Sequence, residues 1–221
     1  MVDLTTWTGM LVFAATTGII TAILNQAFGI GRDLWAAYVK RKSEAGYLAL
    51  RLASILEGYA YDCASFIGDN ANAEQRPDSP YPDWNIRLPE LPPFPEEKEG
   101  WHSIDLKLAA RALDLRNHLA GSQGMINATA EFTEDDLENE LPEHAGERGK
   151  EAWALAKDLR NRYRLPAFEP VWDFTKTLES ALQQAQNAKE ERAHRHVEWL
   201  QEVAADDARH AIGNTEPPGA S

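Results

Sequence analysis

The chain predicts an all-α protein: a single N-terminal transmembrane helix followed by a helical bundle of about four helices, with a Pro-rich crossing segment. Three observations carry this. Met10 to Ile30 runs for 21 residues without an Asp, Glu, Lys, Arg or His. Apolar residues then recur at helical spacing from residue 33 to beyond residue 200. Seven of the twelve prolines crowd between Gly68 and Gly100, leaving the flanking stretches open to helix. The expected division is a short non-cytoplasmic N-terminus at 1–6, a transmembrane helix at 7–31 and a long juxtamembrane helix at 32–70. A Pro-rich strap or linker at 71–100, a helical cytoplasmic body at 101–206 and a disordered tail at 207–221 follow.

At about 1.5 Å per residue, 21 helical residues span roughly 30 Å, close to the thickness of a bilayer's hydrocarbon core. The flanks give the span a direction. No Lys or Arg precedes it, whereas Arg32, Lys40, Arg41, Lys42 and Arg51 follow closely. The positive-inside rule then places the N-terminus outside and the body in the cytoplasm. The first six residues are not the basic leader of a cleaved signal peptide, and the apolar run is too long for one. Trp7 before the span, and Trp35 and Tyr38 after it, fit an interfacial aromatic belt. Arg32, Lys40, Arg41 and Lys42 serve as topology determinants and are placed to meet lipid headgroups. Within the span Ala14, Gly18 and Ala22 repeat every four residues, with Asn25 near the same face. Such a face lets two helices approach and an amide bond across them, although small residues are common in spans generally. The expected partners are therefore the lipid bilayer, a second copy through this helix, and a cytoplasmic protein of unknown identity.

Residues 33 to about 68 read as one long helix, with Tyr38, Ala45, Leu48, Leu52, Ile55, Tyr59 and Phe66 forming a continuous stripe. No proline occurs before Pro77, so the span can run directly into this helix with no more than a bend near Gly29 and Gly31. Cys63 is the lone cysteine; it reads as a small core residue, and no intrachain disulfide is possible. In the proline-dense segment, Trp84, Ile86, Leu88, Leu91 and Phe94 are more apolar bulk than a solvated linker needs. The segment thus reads as a strap across the helical body, in preference to a polyproline ligand for a partner's groove.

A helix is expected from Trp101–Asp105 onward, with Ser103 as N-cap and Leu106, Ala109, Leu113 and Leu119 on its apolar face, joined by Leu108, Ala112 and Leu115. Gly121 and Gly124 leave its end open. Nine acids between residues 131 and 151 read as a solvated connection, because their spacing is not that of a calcium loop. A further helix is expected over Ala145–Tyr163, with Arg160, Arg162 and Arg164 at the negative end of its dipole and Pro166 ending it; a last one runs from Val171, opened by Pro170. That helix carries Phe174, Leu178, Ala181, Ala185 and Ala188, then Val197, Leu200 and Val203, so it is expected to pack at both ends around a charged middle.

The net charge of −13 is unevenly spread: residues 32–51 carry +3, whereas residues 52–221 carry −15. So acidic a body repels phosphate backbones, which argues against nucleic acid as a partner. No phosphate-binding loop, dinucleotide fingerprint, nucleophile elbow or zinc-protease motif occurs, so no catalytic residue, metal ligand or cofactor is assigned. Glu191-x-x-His194 has di-iron spacing, but Asp207-x-x-His210 falls on the same predicted helix and cannot face it across a bundle.

The run from Trp101 to Leu113, the run from Ala152 to Pro166, the Pro-rich strap before both and the short span together resemble a loose group of bacterial single-span inner-membrane proteins. That resemblance implies an inner-membrane setting and transfers no catalytic residue. The expected function is a membrane-anchored, non-enzymatic interaction or scaffold protein. The alternative is a membrane-tethered hydrolase or metal-dependent enzyme, its site assembled from scattered residues such as His102, Glu191 and His194.

Overall fold

A computed structural model describes the backbone of residues 7–96 and 100–213, and side chains from residues 31–96 and 100–203 together with Gln26 and Gly29. Four α-helices make up the described chain: α1 (Trp7–Ala71), α2 (Leu106–Phe132), α3 (Leu137–Tyr163) and α4 (Phe174–Gly213). The fold is all-α. Among the described residues the only β-type pairing is an isolated bridge between Gln75 and Pro82. With no proline to interrupt it, α1 is one unbroken helix of 65 residues. The apolar run and the long helix after it are therefore a single element.

Burial on α1 begins at Ala45; every residue from 31 to 43 is exposed. At about 1.5 Å per residue those thirteen positions form a stalk of roughly 20 Å. From Ala45 onward Leu48, Ala49, Leu52, Ala53, Leu56, Tyr59, Ala60 and Cys63 turn one face into the core.

That face meets α3, which presents Ala145, Gly149, Ala152, Ala156 and Leu159 at three- and four-residue spacing. Small residues on both helices let the backbones come close. A Cβ placed on Gly149 would lie 2.9 Å from the Cβ of Cys63 and 2.8 Å from a methyl of Leu178. One on Gly146 would lie 3.2 Å from the Leu178 carbonyl. α3 is thus the hub, with α1 and α4 pressed onto it at its glycines. Arg160 reaches Glu57 while Gly149 abuts Cys63, so α1 and α3 run antiparallel. Arg111–Asp158 with His118–Glu151 shows the same for α2, and Lys189–Glu143 with Arg192–Asp136 for α4.

Because α1 and α2 run parallel, the chain must travel back along the body between them, and the proline-dense segment does so. An extended strand has unpaired backbone groups that need partners. Asn70 accepts from the Asn85 N–H at 2.8 Å and donates to the Phe66 carbonyl at 3.2 Å, tying the strap to α1. Gln123 accepts from Leu88 N–H and donates to the Ile86 carbonyl, tying it to α2. Arg116 and the Trp101 indole hold the Pro92 and Pro95 carbonyls. Leu91 is buried in the main core and Phe94 packs beside it, while Trp84 and Leu88 cover a smaller cluster of Phe66, Ile126, Leu137 and Leu141. Ile86 alone of the five large apolar residues is exposed.

Several local expectations are corrected. Asp105, not Ser103, caps α2: its carboxylate accepts from Lys107 N–H, and Trp101–Ser103 forms a separate 3₁₀ turn. Leu106 and Leu113 point to solvent, while Leu108, Ala112, Leu115 and Ile126 are the buried set. Gly121 and Gly124 do not break α2. The acid-rich stretch is not a connection. α3 starts at Leu137, eight residues before Ala145, and passes through Pro142. Its acids gain cationic or hydroxyl partners from elsewhere: Arg76 to Glu134, Tyr81 to Asp135, Arg192 to Asp136 and Lys189 to Glu143.

α3 ends as arginine-rich helices do, with its last carbonyls capped. The Arg164 N–H points to the Arg160 and Asn161 carbonyls, and Leu165 N–H bonds Arg160 O at 2.9 Å. Arg164 sits at φ 54°, ψ 43°, the only described non-glycine residue at positive φ. For an L-residue that costs roughly 1–2 kcal/mol, and glycine is the usual occupant. α4 begins at Phe174 rather than Val171, with Asp173 accepting from Thr175 Oγ1 and the Lys176 N–H. It packs only as far as the start of α3. Val197, Leu200 and Val203 are exposed, because no helix among the described residues lies opposite them. The helix also continues past residue 207 to Gly213.

Candidate functional site

The stalk places Leu34, Trp35, Tyr38 and Val39 in solvent, at 67%, 68%, 59% and 47% exposure. These are large apolar side chains with no core to cover, at spacings of three and four that gather them on one side of the helix. Trp35 and Tyr38 contact each other with ring centroids 6.1 Å apart. Arg32 pairs with Asp33 at 3.7 Å in open solvent, and Lys40 with the half-buried Glu44 at 3.9 Å. Arg41 donates to the His102 carbonyl at 3.2 Å, and Lys42 has no ion pair among the described residues. The predicted aromatic and basic residues therefore share one exposed cylinder. Trp7, Ala14, Gly18, Ala22 and Asn25 have side chains outside the described residues, as do the whole of residues 1–6 and 214–221. Among the described residues, no helix is long and apolar enough to cross a membrane; the side chains of Met10–Ile30, those of Gln26 and Gly29 apart, lie outside that set.

Nothing described assembles a catalytic centre. His102 lies at the stalk end of the body beside Arg41, whereas Glu191 and His194 lie on exposed α4 near the start of α3, at the other end. His194 pairs only with Glu198 at 3.3 Å, and His196 stacks on Trp199. No group of three or more metal-ligating side chains occurs among the described residues.

The strongly shifted groups are sealed, not set in a cleft. Tyr59 and Cys63, one turn apart on α1, are both fully buried. Burial pushes the Cys63 thiol up to about 12, and burial together with the neighbouring thiol raises the Tyr59 phenol beyond its ordinary value. Among the described residues the Tyr59 hydroxyl faces the Cys63 thiol and makes no other hydrogen bond. Neither group has a route to substrate, so both act as packing. Sequence had suggested as much for Cys63, but Tyr59's polar end carried no signal.

An ion pair largely withdrawn from solvent joins α1 to α3. Arg160 donates Nε and Nη2 to the two oxygens of Glu57, with Nη2–Oε2 at 2.7 Å. Their side chains are only 12% and 3% exposed. Nη1 donates to the Pro166 carbonyl, and the Phe168 ring lies 5.8 Å from the guanidinium. This fork fixes the register of α1 against α3 and folds the following loop onto the helix end. Sequence reasoning missed it, since Glu57 and Arg160 are 103 residues apart and Arg160 read as one of three dipole-facing arginines.

A second exposed apolar surface lies at the far end of α4, where Val197, Trp199, Leu200 and Val203 are 52%, 55%, 49% and 39% exposed. Among the described residues, exposed apolar side chains thus gather on the stalk and at the far end of α4, with others, such as Leu113 and Met125, spread along α2. Comparison with protein-family models, with curated proteins and with solved structures finds no match to this chain.

Proposed function

We propose that the protein is a membrane-anchored, non-enzymatic interaction or scaffold protein, with the helical body held in the cytoplasm of a bacterium. The observation that carries this reading is the stalk: thirteen exposed residues of α1 between an uncharged 21-residue run and the first buried position, Ala45. A helix that continues past its own core, bearing Trp35, Tyr38 and basic side chains, has the order of parts expected where a span leaves a bilayer. The resemblance to bacterial single-span proteins supports the same setting. Self-association through Ala14, Gly18, Ala22 and Asn25 belongs to this reading, since anchored copies meet in two dimensions. The exposed far end of α4 supports contact with another protein rather than turnover of a substrate.

The test is fractionation with alkaline carbonate combined with reporter fusions. The full chain is expected to stay in the membrane pellet, a C-terminal green fluorescent protein to fluoresce, and a C-terminal alkaline phosphatase to be inactive. Release by carbonate would reject the anchor, and an active phosphatase would reject the orientation. Gly18→Ile is expected to weaken dimerisation in a membrane two-hybrid assay; unchanged signal would remove the self-association element.

A further inference from the structure

Where the stalk enters the body, three elements converge around an open groove of about 620 Å³. α1 contributes Tyr38, Arg41 and Lys42, the turn before α2 contributes His102 and Ser103, and the end of α3 contributes Arg162, Tyr163 and Arg164. Among the described residues, four permanent cations thus line one cleft, against a single acid, Asp105. In a body whose residues 52–221 carry −15, this is a local reversal of sign. Asp105 is already engaged: it caps α2 through Lys107 N–H at 3.0 Å and sits 3.4 Å from Arg162 Nε, interactions that hold its carboxyl below the ordinary range. Neither Lys42 nor the Arg164 side chain has a carboxylate partner among the described residues, and Arg41 is spent only on the His102 carbonyl. The Ser103 hydroxyl, in the wall of the groove, is shielded from solvent and makes no hydrogen bond.

Arg164 adds an independent point. It occupies the left-handed position that ends α3, where glycine would be unstrained. Keeping an arginine there costs folding energy and gains the body nothing, because its side chain is exposed and forms no ion pair among the described residues. Strain held at a surface position inside a cationic groove points to use of the side chain.

We propose that this groove binds a phosphate group. Guanidinium forks from α3 and cations from α1 approach from different sides, which suits the several oxygens of a phosphate better than a flat carboxylate. The Tyr163 hydroxyl accepts from Asp105 N–H at 2.7 Å and so fixes α2 against α3 across the groove floor. The phosphate can belong to an anionic lipid headgroup or to a soluble phosphorylated compound. Arg41 lies eleven residues beyond Ile30, about 16 Å along the helix, so a headgroup reaches the groove when the body settles toward the bilayer surface.

The test uses the full chain in neutral detergent and two probes, inorganic phosphate and micelles doped with phosphatidylglycerol, each titrated by calorimetry at low salt. Phosphatidylcholine-doped micelles and chloride at matched ionic strength are the controls. Wild type is expected to bind at least one probe about tenfold more tightly than Arg164→Gly and than Arg162→Gln. Arg164→Gly is expected to melt at or above the wild-type temperature, so lost binding cannot be assigned to lost folding. Dependence on Arg164 with inorganic phosphate identifies a soluble ligand. The same dependence with phosphatidylglycerol alone identifies a headgroup. Equal binding by wild type and both variants, or no binding to either probe, overturns the proposal. The inorganic-phosphate arm does not require the span, so its outcome is separable from carbonate extraction.

Discussion

Gly149 is where the packing of α1, α3 and α4 is decided. An added Cβ meets the Leu178 methyl, which can swing away, and the Cβ of Cys63, which is fixed to the α1 backbone. Gly149→Ala gains about 1 kcal/mol of helix propensity but overpacks this contact at a cost of about 1–3 kcal/mol. A net loss of about 1 kcal/mol in urea unfolding is expected. Gly121→Ala and Gly124→Ala, whose added Cβ atoms meet nothing within 4 Å, are expected to stabilise by about 0.5–1 kcal/mol instead. The Tyr59–Cys63 pair makes a second expectation at this scale. The native thiol is held up to about 12 from an ordinary 9.0, and the phenol is also raised, so the unfolded chain gives up both protons before the folded chain does. Stability is therefore full below about pH 9 and falls as pH climbs through the alkaline range. The urea midpoint measured from about pH 8 to about pH 11 is expected to drop, and Cys63→Ala to drop less steeply from its own baseline.

Among the elements, α4 is the clearest case of a helix with two lives. Its first half carries Phe174, Leu178, Ala181 and Ala185 into the core; beyond Arg192 every described residue is exposed. Truncation after Arg192 is therefore expected to leave the melting temperature of the full chain within about 2 °C, because little burial is lost. A fall larger than that would show that the far end of α4 supports the body. The stripe of Val197, Leu200 and Val203 was legible in the sequence, but its partner was not. Period tells which residues share a face, and only the start of α3 at Leu137 tells where that face runs out of neighbours. The same limit explains α2, whose apolar residues cover too much of its circumference for period alone to separate Leu113 from Leu115. It also explains the early start of α3. Pro142 and a run of acids argue locally against helix, and the cations that offset the charge come from the strap and from α4.

For the whole molecule, the antiparallel arrangement around α3 accounts for the strap, because two parallel neighbours need a long return. The proline density and apolar content that suggested a crossing segment were local facts, and they were sufficient. The candidate groove was not legible in the same way. Arg41 and Lys42 read as topology determinants, and Arg162 and Arg164 as charges on a helix end; only the fold brings the two sets to one cleft. Composition pointed away from it, since a −13 chain hides a small cationic site in its average.

The unbroken course of α1 from Trp7 to Ala71 fixes azimuth as well as distance. Each residue of an α-helix turns the chain by about 100°, so the compass bearing of the cationic groove relative to the Ala14–Gly18–Ala22 face is set by residue count alone. One residue inserted in the stalk would raise the body by only about 1.5 Å yet swing the groove more than a quarter turn around the helix axis. Two copies held by their N-terminal faces would then present different sides of their bodies to each other. The stalk therefore works as a dial, and its length encodes a heading.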